Sequence, residues 1–432
     1  MKILKVNCFY PPYEKGGGTV VFYNLCSEIN KYHNVFVFSG RDDKETRIYD
    51  IKDYSWEGIP VRSVNIKNYI EDNQKENYLN HKIEKPFEEY LDSIDPELVH
   101  FHSIQGLGAS LIKKVKHRNI PVIVTMHDWW WFCQRQFLVD INFNVCPDVI
   151  NPEICHCSKW ADFQVLRIKY LKEIVNDIDL ILVPSQFLKL SLERNGVPGG
   201  KIMVNGNGVM RPNKISERKN IKKIRFSYVG GLNKYKGIHI LEAAINRIHR
   251  NEDYVLKIYG VGLPEKSLKS ITEIKRLLLR NIIRPGRLFW QIKSMIAMKR
   301  RNKNIVFLPL FKQEQLDDVF SETDVLIVPS VMRESFSLVT REALIRNVPV
   351  ICSDSGGPEE IIQDGINGMV FKTNDPDDLA KKIDLILRKP QLIDEFRRNI
   401  DCSGIRIFNQ QTEELLNIYS DLMNTSHQKG VA

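Results

Sequence analysis

The sequence predicts an α/β protein of two doubly wound domains joined near residue 215, and three observations predict it. Short apolar runs alternate with longer mixed segments through the first half. The same rhythm restarts after a polar stretch. The chain has 432 residues, more than one hydrophobic core usually organises and a comfortable length for two. Hydrophobic residues make up 43% of the chain, enough to fill such cores and too many for a disordered one.

In the first half the strands are Met1 to Phe9, Val35 to Ser39, Leu98 to Phe101, Val122 to Met126 and Leu180 to Val183. Helical stretches such as Val20 to Lys31 and Gly108 to Lys116 lie between them. Met1 to Phe9 is cut short by Pro11-Pro12, and no small-residue cleavage site comes after it. It reads as a first strand rather than a secretion signal. No run approaches the roughly 18 apolar residues of a membrane span. Eight cysteines without such a signal point to a reducing, cytoplasmic setting.

Chemistry-bearing residues gather where these strands end. Gly16-Gly17-Gly18 lies between the first strand and the next helix, where glycines let a backbone approach a ligand and helix-start amides can meet a phosphate. A flexible loop is the alternative. The loop is not a G-x-G-x-x-G pattern and lacks a suitably placed acidic partner, which disfavours a nicotinamide dehydrogenase. His102 and His127 each end an apolar strand, as catalytic or as hydrogen-bonded structural histidines. Asp128, next to His127, serves an acceptor hydroxyl or caps the adjoining segment. Trp129-Trp130-Trp131-Phe132 is either a flat platform for sugar rings or core filling. Cys133, Cys146, Cys155 and Cys157 fall in a segment of little periodicity. They are candidates for a structural zinc clip with His156 as a further ligand, for unligated thiols, or for a disulfide.

The polar linker Arg211 to Lys223 comes after Asn205-Gly206-Asn207-Gly208. The second set of strands is Ile224 to Val229, Tyr254 to Tyr259, Ile305 to Pro309, Val325 to Pro329 and Pro349 to Ser353. After the first of these comes Gly230-Gly231-Leu232-Asn233-Lys234-Tyr235-Lys236-Gly237, where a lysine can neutralise a developing diphosphate charge. After Val325 to Pro329 comes Arg333-Glu334-Ser335-Phe336-Ser337-Leu338, with a helix from Leu338 to about Asn347 that carries Glu342 and faces Ala343 and Leu344 inward. Two carboxylates eight positions apart thus flank a strand-to-helix junction, the place where an open α/β sheet binds ligands. Carboxylates accept hydrogen bonds from sugar or ribose hydroxyls, and free amides around Ser337 to Val339 suit an anion. The pattern recurs after Val348 to Ser353, with Gly356-Gly357-Pro358 and a helix opened by Glu359.

This arrangement resembles the Glu-x7-Glu signature of retaining glycosyltransferases of family 4, and the resemblance extends over most of the chain. It implies the GT-B fold, two Rossmann-like domains facing a cleft: residues 1–210 on the acceptor side and 211–404 binding a nucleotide sugar. A last helix over 405–425 would cross back to the first domain. The resemblance places Glu342 at the ribose, Lys236 at the diphosphate, and Glu334 with Phe336, Ser337 and Leu338 at the donor sugar. Gly17 and Gly18 would contact the donor diphosphate or the acceptor, and His127 would lie near the transferred sugar beside Asp128. Gly231 departs from the pattern, since many relatives carry an arginine there. Either one cation suffices, or Lys234 or Arg333 substitutes.

Net charge is +9, and its location is informative. Residues 265–303 hold twelve Lys and Arg against two Glu, a net of +10, so the remainder sums to −1. Leu268, Ile271, Ile274, Leu278 and Ile282 recur at helical spacing among basic residues. After Pro285-Gly286, Leu288, Ile292, Met295 and Ile296 mark a second helix with Phe289 and Trp290 beside it. This basic insertion reads as an anchor on an anionic membrane surface or as a helical pair packed on its own domain.

The reading that unites these features is a metal-independent retaining hexosyltransferase that moves sugar from a UDP- or GDP-linked donor to a glycan. The acceptor would be lipid-linked, in cell-surface polysaccharide synthesis. Catalysis would rest on His127, Lys236 and Glu334, with no cofactor required. The rivals are a nucleotide-sugar epimerase on the same fold and a catalytically silent membrane-binding scaffold. A nucleic-acid binder is disfavoured because no recognition motif accompanies the charge.

Overall fold

The computed structural model describes residues 1–13, 16–66, 75–155, 157, 162–213, 215, 223–248, 253–263, 272 and 287–430, and of 287–290 and 426–430 the backbone only. Two compact units divide the chain. Unit one comprises residues 1–142, 146–208 and 406–432, and unit two comprises 143–145 and 209–405. Most of the linker over 211–223 lies outside the described residues, as do His156 and the basic segment over 264–286 apart from Thr272.

Unit one is built on strands β1 (Lys2–Asn7), β2 (Asn34–Arg41), β3 (Ile51–Trp56), β4 (Ile59–Asn65), β5 (Leu98–Phe101), β6 (Val122–Thr125), β7 (Leu180–Val183) and β8 (Ile202–Val204). They form one sheet in the order β3-β4-β2-β1-β5-β6-β7-β8. Every pairing is parallel except β3 with β4. The central strands are buried on both faces, as parallel strands covered by helices must be, which is why they read as unbroken apolar runs. The sequence reading lacked β3 and β4, whose mixed polar and apolar residues resemble surface loop. Glu57 and Gly58 join them with φ of 47° and 80°, the left-handed pair that matches strand twist in a tight hairpin.

Helices of unit one are α1 (Gly17–Ile29), α2 (His81–Ile94), α3 (Ser110–Lys116), α4 (Phe163–Asp177) and α5 (Gln186–Arg194). Ser185 caps α5 by accepting from the Leu188 amide at 3.0 Å. In unit two the helices are α6 (Ile238–Ile245), α7 (Arg287–Arg301), α8 (Leu316–Ser321), α9 (Leu338–Leu344), α10 (Pro376–Arg388) and α11 (Leu392–Arg398). The last helix, α12 (Phe408–Gly430), belongs to unit one and packs on α1. Tyr419 of α12 pairs its hydroxyl with Nδ1 of His100 at 2.6 Å, and Glu414 accepts from Asn205 at 2.7 Å.

Unit two carries β9 (Ile224–Val229), β10 (Tyr254–Val261), β11 (Ile305–Pro309), β12 (Val325–Val328), β13 (Val350–Ser353) and β14 (Gly368–Phe371). The order is β11-β10-β9-β12-β13-β14, parallel throughout. Each sheet therefore reverses its winding at one place, between β1 and β5 in unit one and between β9 and β12 in unit two. Such a switch point opens a crevice beyond the carboxyl ends of the two strands. Gly237 shows how closely chain segments approach there. It has φ of 69°, and a Cβ on it would sit 1.6 Å from the carbonyl oxygen of Pro329, so only glycine fits.

One sequence expectation is corrected, and for α7 the structure favours one of two alternatives. Glu359 opens no helix: residues 357–361 form turns, and the Glu359 carboxylate accepts from the Gly356 amide at 2.7 Å. In α7, Ile292, Met295 and Ile296 are buried in the core of unit two together with Met298. The apolar stripe of that helix is turned inward by packing against its own domain and is not offered to a membrane.

Candidate active site

The Lys236 ammonium and the Glu334 carboxylate meet at the switch point of unit two. Tyr228, at the end of β9, is buried and donates its hydroxyl to the Gly231 carbonyl at 2.7 Å, which folds the glycine turn back onto the strand. Asn233 accepts from the Lys236 amide at 3.0 Å and shapes the next turn. Lys236 Nζ then reaches Glu334 Oε1 at 2.7 Å, and the Ser330 hydroxyl donates to the same oxygen at 2.6 Å. Glu334 is buried, while the Lys236 side chain stays 36% exposed, so the cation keeps a face for a second anion.

The Glu334 backbone is fixed from the neighbouring strand. Its amide donates to Ser355 O at 2.9 Å, and its carbonyl accepts from Gly357 N at 2.7 Å. A Cβ on Gly357 would lie 2.6 Å from the Phe336 amide nitrogen, which explains the glycine pair after β13. Phe336 and Ser337 are buried, and Ser337 has φ of 62° with its hydroxyl 2.9 Å from that of Thr340.

Arg341 escaped the sequence reading. This buried arginine stacks 3.6 Å over the Phe336 ring, donates to the Phe336 carbonyl, and reaches the Gly357 carbonyl at 3.4 Å and Glu360 at 3.6 Å. One guanidinium thus ties the Glu334–Ser337 loop to the glycine turn. Nothing in a lone arginine between Thr340 and Glu342 signals this, because the partners come from a different loop.

Glu342 lies beyond Leu338 on the same short helix and makes no direct bond to Lys236 or Glu334. Burial pushes its carboxyl up to about 7, with Arg346 pulling the other way. Of the two cations that could stand in for the arginine missing at Gly231, Lys234 lies 5.1 Å over the Phe143 ring, and Arg333 donates to Asp354 O at 3.3 Å.

In unit one the glycine loop and two histidines gather at the other switch point. Gly16 has φ of 81° and precedes α1, whose first residue, Gly17, is exposed. A Cβ on Gly18 would lie 4.0 Å from His127 Cγ, so the loop and that ring are neighbours. His127 Nε2 pairs with His102 Nδ1 at 2.9 Å, and the rings stack. Burial, with Lys5 adding to it, lowers His127 to about 4. Asp128 accepts from the Trp130 amide at 2.8 Å, which is the capping role, and burial raises its carboxyl to about 6.

The aromatic run is core. Trp129, Trp130, Trp131 and Phe132 are all at most 3% exposed, Trp129 donates to Ser191 and Trp130 to Asn77, so a sugar platform there is ruled out. Cys133, Cys146, Cys155 and Cys157 form no disulfide and share one neighbourhood. Cys157 hydrogen-bonds to Cys155, and burial with mutual proximity raises Cys146 to about 11. Among the described residues no three His, Cys, Asp or Glu side chains are arranged to hold a metal ion. His156 and residues 158–161 lie outside the described residues, and the four thiols remain neighbours.

Comparison with known proteins covers both units. The profile described as Glycosyl transferases group 1 matches residues 210–401, and that described as Glycosyltransferase Family 4 matches residues 15–210. A 41.2 kDa protein in the cps region of Klebsiella pneumoniae is 35% identical over 297 residues, 65% of this chain and 74% of that one. A lipopolysaccharide 1,2-N-acetylglucosaminetransferase of Salmonella typhimurium is 26% identical over 197 residues, 44% of this chain and 47% of that one. Two glycosyltransferases of Methanocaldococcus jannaschii are 28% and 35% identical, each over 37% of this chain, and the chain spans 46% and 35% of their lengths. Among solved structures, sucrose-phosphate synthase of Thermosynechococcus elongatus superposes with a TM-score of 0.69 at 18% identity, over 98% of this chain and 99% of that one. Anabaena HepE in complex with UDP gives 0.66 at 14% identity, over 98% and 100%.

Proposed function

This chain belongs to the group 1 glycosyltransferases, and from that premise we propose that it transfers a hexose from a nucleotide-diphosphate sugar to a glycan, with retention of configuration. The observation that carries the reading is the Lys236–Glu334 contact at the unit-two switch point. A half-exposed ammonium held by a buried carboxylate is a fixed positive charge, and fixed charge aimed at a departing diphosphate lowers its barrier without reorganisation. Glu342, which bonds to neither Lys236 nor Glu334, takes the ribose hydroxyls. Glu334 and the Phe336–Leu338 backbone take the donor sugar.

In this reading the leaving phosphate deprotonates the acceptor on the same face, so no protein nucleophile and no divalent metal is needed. Gly17, Gly18 and His127 serve the acceptor side, with Asp128 holding the Trp130 amide beside them. The names of relatives support polysaccharide work: one acts on lipopolysaccharide, and another lies in a cps region. HepE has been solved with UDP and with UDP-glucose, which favours a uridine nucleotide here. The lipopolysaccharide transferase among the relatives favours a lipid-linked acceptor.

The test is a thermal-shift panel with UDP, GDP, ADP and their sugars, since a ligand that binds only the folded state raises its stability. Stabilisation by UDP or UDP-glucose is expected. Nucleotide release with purified donor must then depend on added glycan. Release without acceptor would point to an epimerase or hydrolase, and no response to any nucleotide would overturn the assignment.

A further inference from the structure

A row of polar side chains crosses the sheet of unit one beneath α1 and α12. Lys5 and His100 are register partners on β1 and β5, and both are fully buried. His100 is satisfied at both ring nitrogens, by Tyr419 Oη at 2.6 Å and Thr125 Oγ1 at 2.7 Å. His102 is not. Its Nδ1 meets His127 Nε2 at 2.9 Å, whereas its Nε2 is sealed from solvent without a hydrogen-bond partner among the described residues, and so is the Lys5 ammonium, which lies 5.5 Å over the Phe22 ring.

These two unpaired atoms determine where the protons sit. A neutral imidazole carries one N–H and one lone pair. A buried N–H left orphaned is rarer than an under-used acceptor. A nearby ammonium further favours a lone pair over an N–H at the sealed nitrogen. His102 therefore carries its proton on Nδ1 and donates it to His127 Nε2, which obliges His127 to carry its own proton on Nδ1. That nitrogen makes no hydrogen bond among the described residues, and the ring borders Gly18 at the start of α1.

We infer that His102 is a positioning residue that fixes His127 as a neutral Nδ1–H donor, aimed at an oxygen of the ligand seated beside the glycine loop. The ligand group is a hydroxyl or phosphate oxygen, and this ligand assignment rests on the glycosyltransferase reading. The groups that act on the pair favour neutrality: Lys5 from β1 and His100 from β5, with the apolar Phe22 ring of α1 edge-on to His102, while the adjoining Asp128 carboxylate is engaged by the Trp130 amide. Burial and the Lys5 charge lower His127 to about 4, so the ring stays a neutral donor from about pH 5 upward. His127 is then a hydrogen-bond donor and not a general base.

Long-range proton–nitrogen spectra of the full chain labelled with nitrogen-15 histidine, at neutral pH, test the tautomers without any substrate. Signals are assigned by their loss in His127→Gln and His102→Asn. Both rings are expected to be neutral with Nδ1 protonated. A charged His127, or one protonated on Nε2, overturns the inference whatever the enzyme transfers. Activity gives a second arm. His102→Phe keeps the ring stack and removes the donor, and kcat/KM should fall about tenfold, the size of one neutral hydrogen bond. His102→Asn places an amide N–H where Nδ1 was and should recover most of that loss. Equal loss in both variants, with both folded, would show a structural role only. Absence of turnover with every donor would sink the transferase reading while leaving the spectral result intact.

Discussion

Lys236 Nζ lies 2.7 Å from Glu334 Oε1, and the two residues come from the loops after β9 and β12, 98 positions apart in the chain. Their contact unites the phosphate-side and sugar-side candidates in one group. The ammonium is 36% exposed, so the ion pair adds about 1 kcal/mol or less to stability. Its value lies in placing charge.

Lys236→Ala and Glu334→Gln should therefore each lower turnover by at least about tenfold while the fold persists. Melting temperature should move by only a few degrees. Steady-state kinetics with the identified donor and acceptor, beside a thermal melt, check both halves. Wild-type turnover in either variant would remove that residue from the site.

Glu342 makes stability and binding depend on pH in opposite senses. Burial holds its carboxyl at about 7 in the folded chain, against about 4.3 unfolded. The folded state thus holds the proton more tightly, and stability falls as pH rises from about 4.5 to about 7 and then levels, by about 1–3 kcal/mol in all. Glu342→Gln should flatten that part of the curve and be the more stable protein at about pH 8, with no advantage below about pH 4. Nucleotide affinity should change the other way, strongest above about pH 7 in the wild type and weakened in the variant. Denaturant melts and nucleotide titrations across that pH range measure the two trends.

Trp130→Ala should cost about 3–5 kcal/mol, because the ring is 2% exposed and lies 5.0 Å from the Arg167 guanidinium. A sugar platform on the surface would cost well under that and would change acceptor KM instead. A denaturant melt separates the two outcomes.

Protein purified without added metal should carry less than about a tenth of an equivalent of zinc. Burial first, and then neighbouring thiols, shift Cys133 and Cys146 toward the protonated form, and Cys157 is shifted the same way by its hydrogen bond to Cys155 and by burial. Elemental analysis near one equivalent would show that the four thiols close on the ion after all. Transfer activity should survive a chelator unless the cysteine loop itself unfolds.

The strands of both central sheets were legible because a strand buried on both faces must be apolar along its length, as at Val325–Val328 and Val122–Thr125. The hairpin of β3 and β4 was not, since an edge pair shares its polar residues with solvent. Glu334 and Glu342 stood out by their spacing across a strand-to-helix junction, and His127 by its place at a strand end. Arg341 and the His102–His127 pair gave no such signal. The stripe Ile292, Met295, Ile296 was visible as a helix face, but amphipathicity is the same whether the apolar side meets a lipid surface or a neighbouring sheet.

Alone, then, the amino-acid order determined the alternation of strands and helices, the restart of that rhythm in a second domain, and which loops at strand ends carry charge. These are local, set by backbone period and by the turn preferences of Gly, Pro and Asn. The tertiary structure alone decided that Lys236 meets Glu334 across 98 residues, that Arg341 clamps Phe336 to Gly357, and that four aromatic residues are core. Those contacts depend on the order in which strands lie in the sheet. Strand order is fixed by the joint burial of all the helices and is written in no short segment.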